Sequence, residues 1–287
     1  MEDVDFDDVD EVVRMIEEIE IQGATSVAEA GVEVLRRLDG RGASQDEVED
    51  VTRRLVTARP TEPFLFNCVR VARHTGDYDD VLDHVRTSKE AVVASGVDLL
   101  SGVDAVYTHC HSSTATALVL AGDVAEAHVT ETRPLYQGRE TASELAAEDV
   151  DVEFYVDSGA RMALKRSDAM LIGADAVLAD GRVVNKIGSE LFAETAQRHD
   201  VPVYVVTDSW KYDPASSFGF ETEIERRAAR EVWSEPPDGV EVVNYAFEKV
   251  SPDVVDAVVS ELGVHDPVDF QDAVVDAYPE LLEAVLG

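Results

Sequence analysis

Lysine is nearly missing from this chain. Only Lys89, Lys165, Lys186, Lys211 and Lys249 occur among 287 residues, and 24 basic residues face 60 acidic ones, a formal net charge of −36. No basic face is visible to meet the phosphates of a nucleic acid, so direct nucleic-acid binding is disfavoured. The surplus acid is spread along the whole chain rather than held in one tail. That is the pattern of a protein adapted to high salt, where screening weakens the self-repulsion of a charged surface. An acidic surface built for one basic partner would be local instead. Cysteine is also scarce: Cys68 and Cys110 make no disulfide framework, which points to a reducing cytoplasm. No apolar run approaches the ~20 residues that span a bilayer. The acidic start, Met1-Glu2-Asp3-Val4-Asp5, has no apolar core of a signal peptide, so no membrane partner is expected. G-x-G-x-x-G and G-x-x-x-x-G-K-[ST] are absent, which removes the usual dinucleotide and triphosphate cradles. No G-x-S-x-G nucleophile elbow is present either. There is no internal repeat and no low-complexity segment.

What is present divides near residue 102. Residues 1–102 read as a helical domain, with apolar positions at three- and four-residue spacing in Val9–Ile19, Val27–Leu38, Val48–Val56, Leu65–Ala72 and Tyr78–Leu100. Residues 103–287 alternate short apolar runs with helical patterns. The runs Val103–Tyr107, Ala127–Thr130, Val152–Val156, Ala169–Ile172 and Val201–Val206 are expected as strands. Helices are expected near Thr114–Ala121, Arg139–Ala147, Ser158–Leu164 and Glu190–His199. The tail adds a candidate strand, Val240–Asn244, and two helical patterns, Pro252–Leu262 and Phe270–Leu286. Such alternation indicates an α/β domain with a parallel sheet covered by helices.

In an open parallel sheet the loops after the strands gather at the carboxyl edge, where ligands bind. Here those loops are His109-Cys110-His111, Glu131-Thr132-Arg133-Pro134, Asp157-Ser158-Gly159-Ala160-Arg161, Gly173-Ala174-Asp175 and Asp208-Ser209-Trp210-Lys211. Ser112, Ser113 and Thr114 can cap the helix that follows the first loop, and its free N–H groups favour an anion. A cysteine at such a helix start, flanked by two histidines, is expected to have a lowered pKa. Read as structure alone, Cys110 is instead a small apolar filler beneath a turn. Asp175 ends the apolar run Met170-Leu171-Ile172, so burial is expected to raise its pKa; its bland reading is a turn or helix cap. Two groups driven apart in this way can divide the roles of acid and base. Zinc fits poorly, because His109, Cys110 and His111 are adjacent and no second cluster completes four ligands, so no metal site is expected.

Thr108-His109-Cys110-His111-Ser112, Glu131-Thr132-Arg133-Pro134-x-x-Gln137-Gly138, Gly173-Ala174-Asp175 and Asn185-Lys186-Ile187-Gly188 resemble the superfamily of the initiation factor 2B alpha, beta and delta subunits. That superfamily includes methylthioribose-1-phosphate isomerase and archaeal ribose-1,5-bisphosphate isomerase. The resemblance runs from about Ile21 to Gly263, and Asn244-Tyr245-Ala246-Phe247-Glu248 with Ser251-Pro252 shares it. It implies an N-terminal helical domain, a Rossmann-like C-terminal domain, a homo-oligomer (dimer or hexamer) and no cofactor. The isomerases carry the cysteine and the aspartate, whereas the translation-factor subunits typically lack the pair. The resemblance therefore implies an aldose–ketose isomerase of a phosphorylated ribose, ribose 1,5-bisphosphate to ribulose 1,5-bisphosphate. Cys110 would be the base at the sugar's second carbon and Asp175 the acid that helps open the ring. Asn185 and Lys186 would hold hydroxyls or phosphate, and Arg59 and Lys211 phosphate. His111, Ser112, Ser113, Arg133 and the loop Gln22, Gly23, Ala24, Thr25 complete the expected substrate-binding set. At that loop the isomerases usually have arginine before glycine-alanine; Gln22 can hydrogen-bond a phosphate but adds no charge. An AMP-type activator is a further expectation. The same fold also allows a non-catalytic initiation-factor-2B-like subunit that binds a sugar phosphate or nucleotide together with an initiation factor.

Overall fold

The computed structural model of the chain describes residues 4–18, 20–21, 23–59, 62–220, 222, 224 and 226–286. Five helices come first: α1 (Val9–Glu17), α2 (Ala24–Gly40), α3 (Gln45–Ala58), α4 (Pro63–Thr75) and α5 (Tyr78–Gly96). Their starts follow from local chemistry. The side chains of Asp8, Ser44 and Asp77 accept hydrogen bonds from the first turns of α1, α3 and α5, while α4 opens on proline. Ile19, the last residue expected in the first helix, lies outside the described residues, as does Gln22.

The remainder runs β1 (Ala105–His109), α6 (Ser113–Ala121), β2 (Glu126–Thr130), α7 (Gly138–Ala147), β3 (Asp151–Tyr155), α8 (Ala160–Leu164) and β4 (Ala169–Ile172). It continues with β5 (Ala176–Val177), β6 (Val183–Lys186), α9 (Ser189–Gln197), β7 (Val203–Val206) and β8 (Phe247–Val250). The last elements are β9 (Ala257–Ser260), β10 (Gly263–His265), α10 (Phe270–Ala277) and α11 (Glu280–Leu286). One sheet has seven strands in the order β10-β9-β7-β4-β1-β2-β3. It is parallel except for β10, which pairs antiparallel with β9. A second sheet, β5-β6-β8, is antiparallel. Among the described residues no helix is long and apolar enough to cross a membrane.

The chain leaves β1 in one direction to β2 and β3, then returns to lay β4, β7 and β9 on the other side of β1. The strand order reverses between β1 and β4, whose pairing aligns Tyr107 with Met170 and Thr108 with Leu171. Such a reversal opens a crevice at the carboxyl ends of the two strands.

Three expectations in the tail give way. Val240–Asn244 is irregular, and the strand forms later, at β8. Pro252–Leu262 is not a helix: a short 3-10 turn, Pro252–Val254, leads into β9, whose four residues are all buried. Val254, Val255, Val258 and Val259 satisfy helical spacing, but a β-branched run buried on both faces suits an inner strand, and periodicity alone does not separate the two. Phe270–Leu286 is two helices, divided before Pro279, which disfavours helical geometry in the residue ahead of it. Strands β5, β6 and β10 are too short to stand out from the sequence.

The helical and sheet regions share one core. A single buried cluster runs from Val12, Leu35 and Leu65 to Tyr107, Met170, Val205 and Phe270. Each fully buried side chain of this size contributes roughly 1.5–3 kcal/mol. Helix α4 is also fixed by polar contacts. Asn67, 1% exposed, donates 2.7 Å hydrogen bonds to the carbonyls of both Trp210 and Tyr212, and so joins α4 to the loop after β7.

Candidate active site

The loop after β1 is tightly held. Cys110 takes a positive φ of 70° and is 8% exposed. Its N–H donates to Thr132 Oγ1 at 2.8 Å, and its carbonyl accepts from Thr141 Oγ1 at 3.0 Å. Thr132 is held in turn by Asp157, whose carboxylate accepts from the N–H groups of Thr132 and Arg133, each at 2.7 Å. The loops after β1, β2 and β3 are thereby laced together. A left-handed cysteine inside such a lattice stores backbone strain that the surrounding contacts must hold.

His109 and His111 leave the site in opposite directions. His109 Nε2 lies 3.0 Å from the Ile187 carbonyl, and Nδ1 lies 2.8 Å from Thr130 Oγ1. A carbonyl only accepts, so Nε2 carries the proton and Nδ1 accepts from the hydroxyl. Burial pushes the His109 pKa down to about 4, which makes the ring a neutral tether between β1 and the turn at Ile187 that follows β6. His111 turns to α7, with Nδ1 3.0 Å from Thr141 Oγ1 and Nε2 3.7 Å from Glu140. It contributes its backbone N–H to the Cys110 sulfur.

The loop after β4 meets the loop after β1 at one glycine. A Cβ on Gly173 would sit 2.7 Å from both Cβ and Oγ of Ser112, so only glycine allows this approach. Ser112 Oγ meanwhile caps α6 by accepting from the Ala115 N–H, and Ser113, exposed, opens that helix. Asp175 follows, and its N–H donates to Val184 at 2.9 Å across the second sheet. It keeps some exposure, yet burial is the largest influence on its carboxyl. With the neighbouring Glu62 carboxylate, burial outweighs Lys211, Lys186 and Arg59 and raises the Asp175 pKa to about 6. That is the direction expected from the sequence. The expectation for Cys110 is reversed. Burial raises its thiol to about 11, against the pull of Lys186, and the Asp175 charge adds to the rise. The physical reason is position: Ser112, not Cys110, is the cap of α6, and burial of the sulfur disfavours its charged form.

Three cations border Asp175. Lys186 is buried, its Nζ 4.4 Å above the Phe247 ring. Lys211 Nζ donates to the Ala174 carbonyl at 2.7 Å. Arg59 Nη2 donates to Glu62 Oε1 at 2.7 Å. Asn185 is buried beside Lys186 and donates from Nδ2 to Ser189 Oγ at 2.9 Å. Of the expected binding residues, the structure therefore gathers Arg59, Lys186 and Lys211 around Asp175, with Ser112 on the adjoining loop and Asn185 on β6. Arg133 is exposed and turned elsewhere: its guanidinium bonds the Tyr136 hydroxyl and, at 3.2 Å, the Val232 carbonyl. Gly23 is the N-cap of α2, with Ala24 and Thr25 forming an opening turn that no side chain caps. Gln22 is not among the described residues.

Several participants carry little signal in the sequence. Glu62 stands three residues after Arg59, and Asn67 is a lone polar residue in the apolar run Phe64-Leu65-Phe66-Asn67-Cys68. Glu248 accepts from the N–H groups of Gly188 (2.7 Å) and Glu190 (2.9 Å), which fixes the turn that follows Lys186 at the end of β6. A cysteine and an aspartic acid in the loops after the two strands that flank the reversal, with cations beside them, can move protons on an anionic substrate.

The model of the initiation factor 2 subunit family matches residues 17–267. Ribose 1,5-bisphosphate isomerase of Pyrococcus furiosus is 31% identical, covering 91% of this chain and 91% of that protein. The ribose 1,5-bisphosphate isomerase of Haloterrigena turkmenica is 34% identical, covering 90% of this chain and 89% of that protein. Among solved structures, translation initiation factor eIF-2B of Pyrococcus horikoshii OT3 superposes with a TM-score of 0.78 at 23% identity, covering 90% of this chain and 97% of that one.

Proposed function

We propose a function from one premise: the chain belongs to the initiation factor 2 subunit family. Within that family it is an aldose–ketose isomerase of a phosphorylated ribose, converting ribose 1,5-bisphosphate to ribulose 1,5-bisphosphate. The observation that carries this reading is the Cys110 and Asp175 pair in the loops after the two strands of the reversal, bordered by Arg59, Lys186 and Lys211.

The chemistry balances with two protein groups. Asp175, protonated, gives its proton to the ring oxygen as the bond from that oxygen to C1 breaks. Cys110, as thiolate, takes the proton from C2, and the electron pair forms the C1–C2 double bond of an enol phosphate. Cys110 then returns its proton to C1 while the C2 hydroxyl gives its proton to the Asp175 carboxylate. C2 becomes the ketone, and both enzyme groups end as they began. Charge-assisted bonds from Lys186, Lys211 and Arg59 to the phosphates would orient C2 against the sulfur. Lys186, beside both groups, favours the thiolate and the developing enolate.

Two finer points belong to the same reading. Met162, Leu191, Val156 and Phe154 are exposed on α8, α9 and the β3 edge, an apolar set suited to a second copy in a homo-oligomer. The net charge of −36 and the free thiols of Cys68 and Cys110 suit a salty, reducing cytoplasm.

The test is turnover in molar potassium chloride, with ribose 1,5-bisphosphate supplied with and without AMP and the ketose followed by NMR. Turnover that disappears in Cys110→Ser and Asp175→Asn, with the fold retained, is the expected result. Full activity in either variant sinks the reading.

A further inference from the structure

Glu62 lies within the charged group around Asp175. It is the N-cap of α4, but its side chain makes no capping hydrogen bond. It is 8% exposed and turns its carboxylate to Arg59 at 2.7 Å. A carboxylate that leaves its own helix's free N–H groups aside is being oriented by another charge. The other terminal nitrogen of the guanidinium, Arg59 Nη1, is buried without a hydrogen-bond partner among the described residues. A buried charged donor left unpaired is costly, and an anionic oxygen arriving there removes the cost.

The location of α4 brings this pair to the acid. Asn67 fastens α4 to the carbonyls of Trp210 and Tyr212, and Lys211, between those two residues, reaches the Ala174 carbonyl next to Asp175. The charged and titratable groups that face Asp175 are Glu62 from the start of α4, Arg59 from the end of α3, Lys211 from the loop after β7, Lys186 from β6 and Cys110 from the loop after β1. Of these, Glu62 alone is a carboxylate.

We propose that Glu62 is a positioning residue of this site: it fixes Arg59 with one guanidinium nitrogen open to a substrate phosphate, and it places a second carboxylate in the charged group that contains Asp175. The use made of the Asp175 proton rests on the isomerase reading; the arrangement itself does not. The direction of the titrations agrees. After burial, Glu62 is the largest influence raising Asp175 to about 6. With Cys110 at about 11, the two groups share one proton across the intervening pH range. Turnover needs that proton on Asp175 and the thiolate on Cys110. Each pH unit by which the Asp175 midpoint falls makes this form about tenfold rarer.

Glu62→Gln keeps the shape and an acceptor for Arg59 but removes the charge. The Asp175 midpoint, followed by the infrared or carbon-NMR carboxyl signal that Asp175→Asn abolishes, is expected to move from about 6 toward the ordinary value of about 4. The acid limb of kcat/KM moves down with it, and the plateau falls about tenfold per pH unit moved. Glu62→Asp retains the charge on a shorter arm; its midpoint stays high while KM rises through the loosened Arg59. An unmoved midpoint in Glu62→Gln overturns the proposal, and so does an equal fall in both variants, which assigns the effect to packing. If Glu62→Gln does not fold, a wild-type midpoint near 4 overturns it and a raised midpoint that Glu62→Asp retains supports it. Absence of wild-type turnover on ribose 1,5-bisphosphate removes the isomerase reading alone, because the carboxyl titration still decides the role of Glu62.

Discussion

Asp175 and Asp208 sit at the same edge of the same sheet, after β4 and β7, and burial pushes both upward. They end in opposite states. Asp208 Oδ1 lies 3.1 Å from His84 Nε2 and accepts from the Trp210 N–H at 2.8 Å. Against burial, His84 together with Ser88 and the Trp210 N–H holds Asp208 below its ordinary range, while Asp208 together with Glu261 and Asp80 raises His84. His84 also stacks on Trp210, ring centroids 4.2 Å apart, and Glu261 closes the group by bonding Ser209. Asp175 has cations nearby but faces Glu62 as well, and its pKa rises. Burial does not by itself make a catalytic acid. The difference lies in whether the local partners hold the charged form or leave the proton in place.

The largest effect that breaks the contrast is on turnover. Cys110→Ser and Asp175→Asn are each expected to lower kcat by on the order of 10²–10⁴, the usual yield of a positioned acid or base. A circular-dichroism melt within a few degrees of wild type shows that chemistry, not folding, is lost. His84→Ala strikes the other carboxylate. It strips a buried partner from Asp208 and should cost on the order of 3 kcal/mol in urea unfolding at high salt. A loss below about 1 kcal/mol makes the pair as weak as an exposed one.

The approach of the two loops is tested by Gly173→Ala. Its new methyl group meets Ser112 at 2.7 Å, which disturbs the α6 cap and the spacing of Cys110 from Asp175. A fall in kcat of up to ~10² is expected, because displacements of about 1 Å have that cost. Wild-type activity would show that the loops separate freely.

The smallest effects concern pH. Asp175 is raised in the folded chain, so it favours folding when protonated and disfavours it once ionised. Between pH 4 and pH 7 the stability of Asp175→Asn relative to wild type should therefore rise with pH. The Asp208 contribution runs the other way: its folded pKa is depressed, so it is present above the ordinary carboxylate value and lost as pH falls through the folded one. The His84 contribution, from a raised pKa, is complete below the ordinary histidine value and lost as pH rises through the folded one. The destabilisation by His84→Ala is accordingly greatest between about pH 4 and pH 6.5. A flat difference across that window refutes the assignment of charge to the pair.

Much of this arrangement was legible from local order. Strand, polar loop and helix repeat along residues 103–206, so Cys110, Asp175 and Lys211 could be assigned to one edge before any fold was known. The tail was not legible, because Val254, Val255, Val258 and Val259 fit a buried helix and a buried strand equally well. His111 and Arg133 lie in polar loops that suggest a site, yet one turns to Thr141 and the other to Tyr136 and Val232. Side-chain direction in a loop is set by neighbours far along the chain, and periodicity carries no information about it.

By itself the sequence determined the acidic surface, the helical start, the parallel-sheet grammar and the presence of a cysteine and an aspartate after two of its strands. These follow from composition and from contacts between residues near one another in the chain. Only the tertiary structure decided the strand order that sets those two loops side by side, the burial that raises Cys110, and the electrostatic influence of Glu62, at the start of α4, on Asp175. Electrostatic environment depends on everything within a few ångströms, and that neighbourhood exists only after distant segments have packed together.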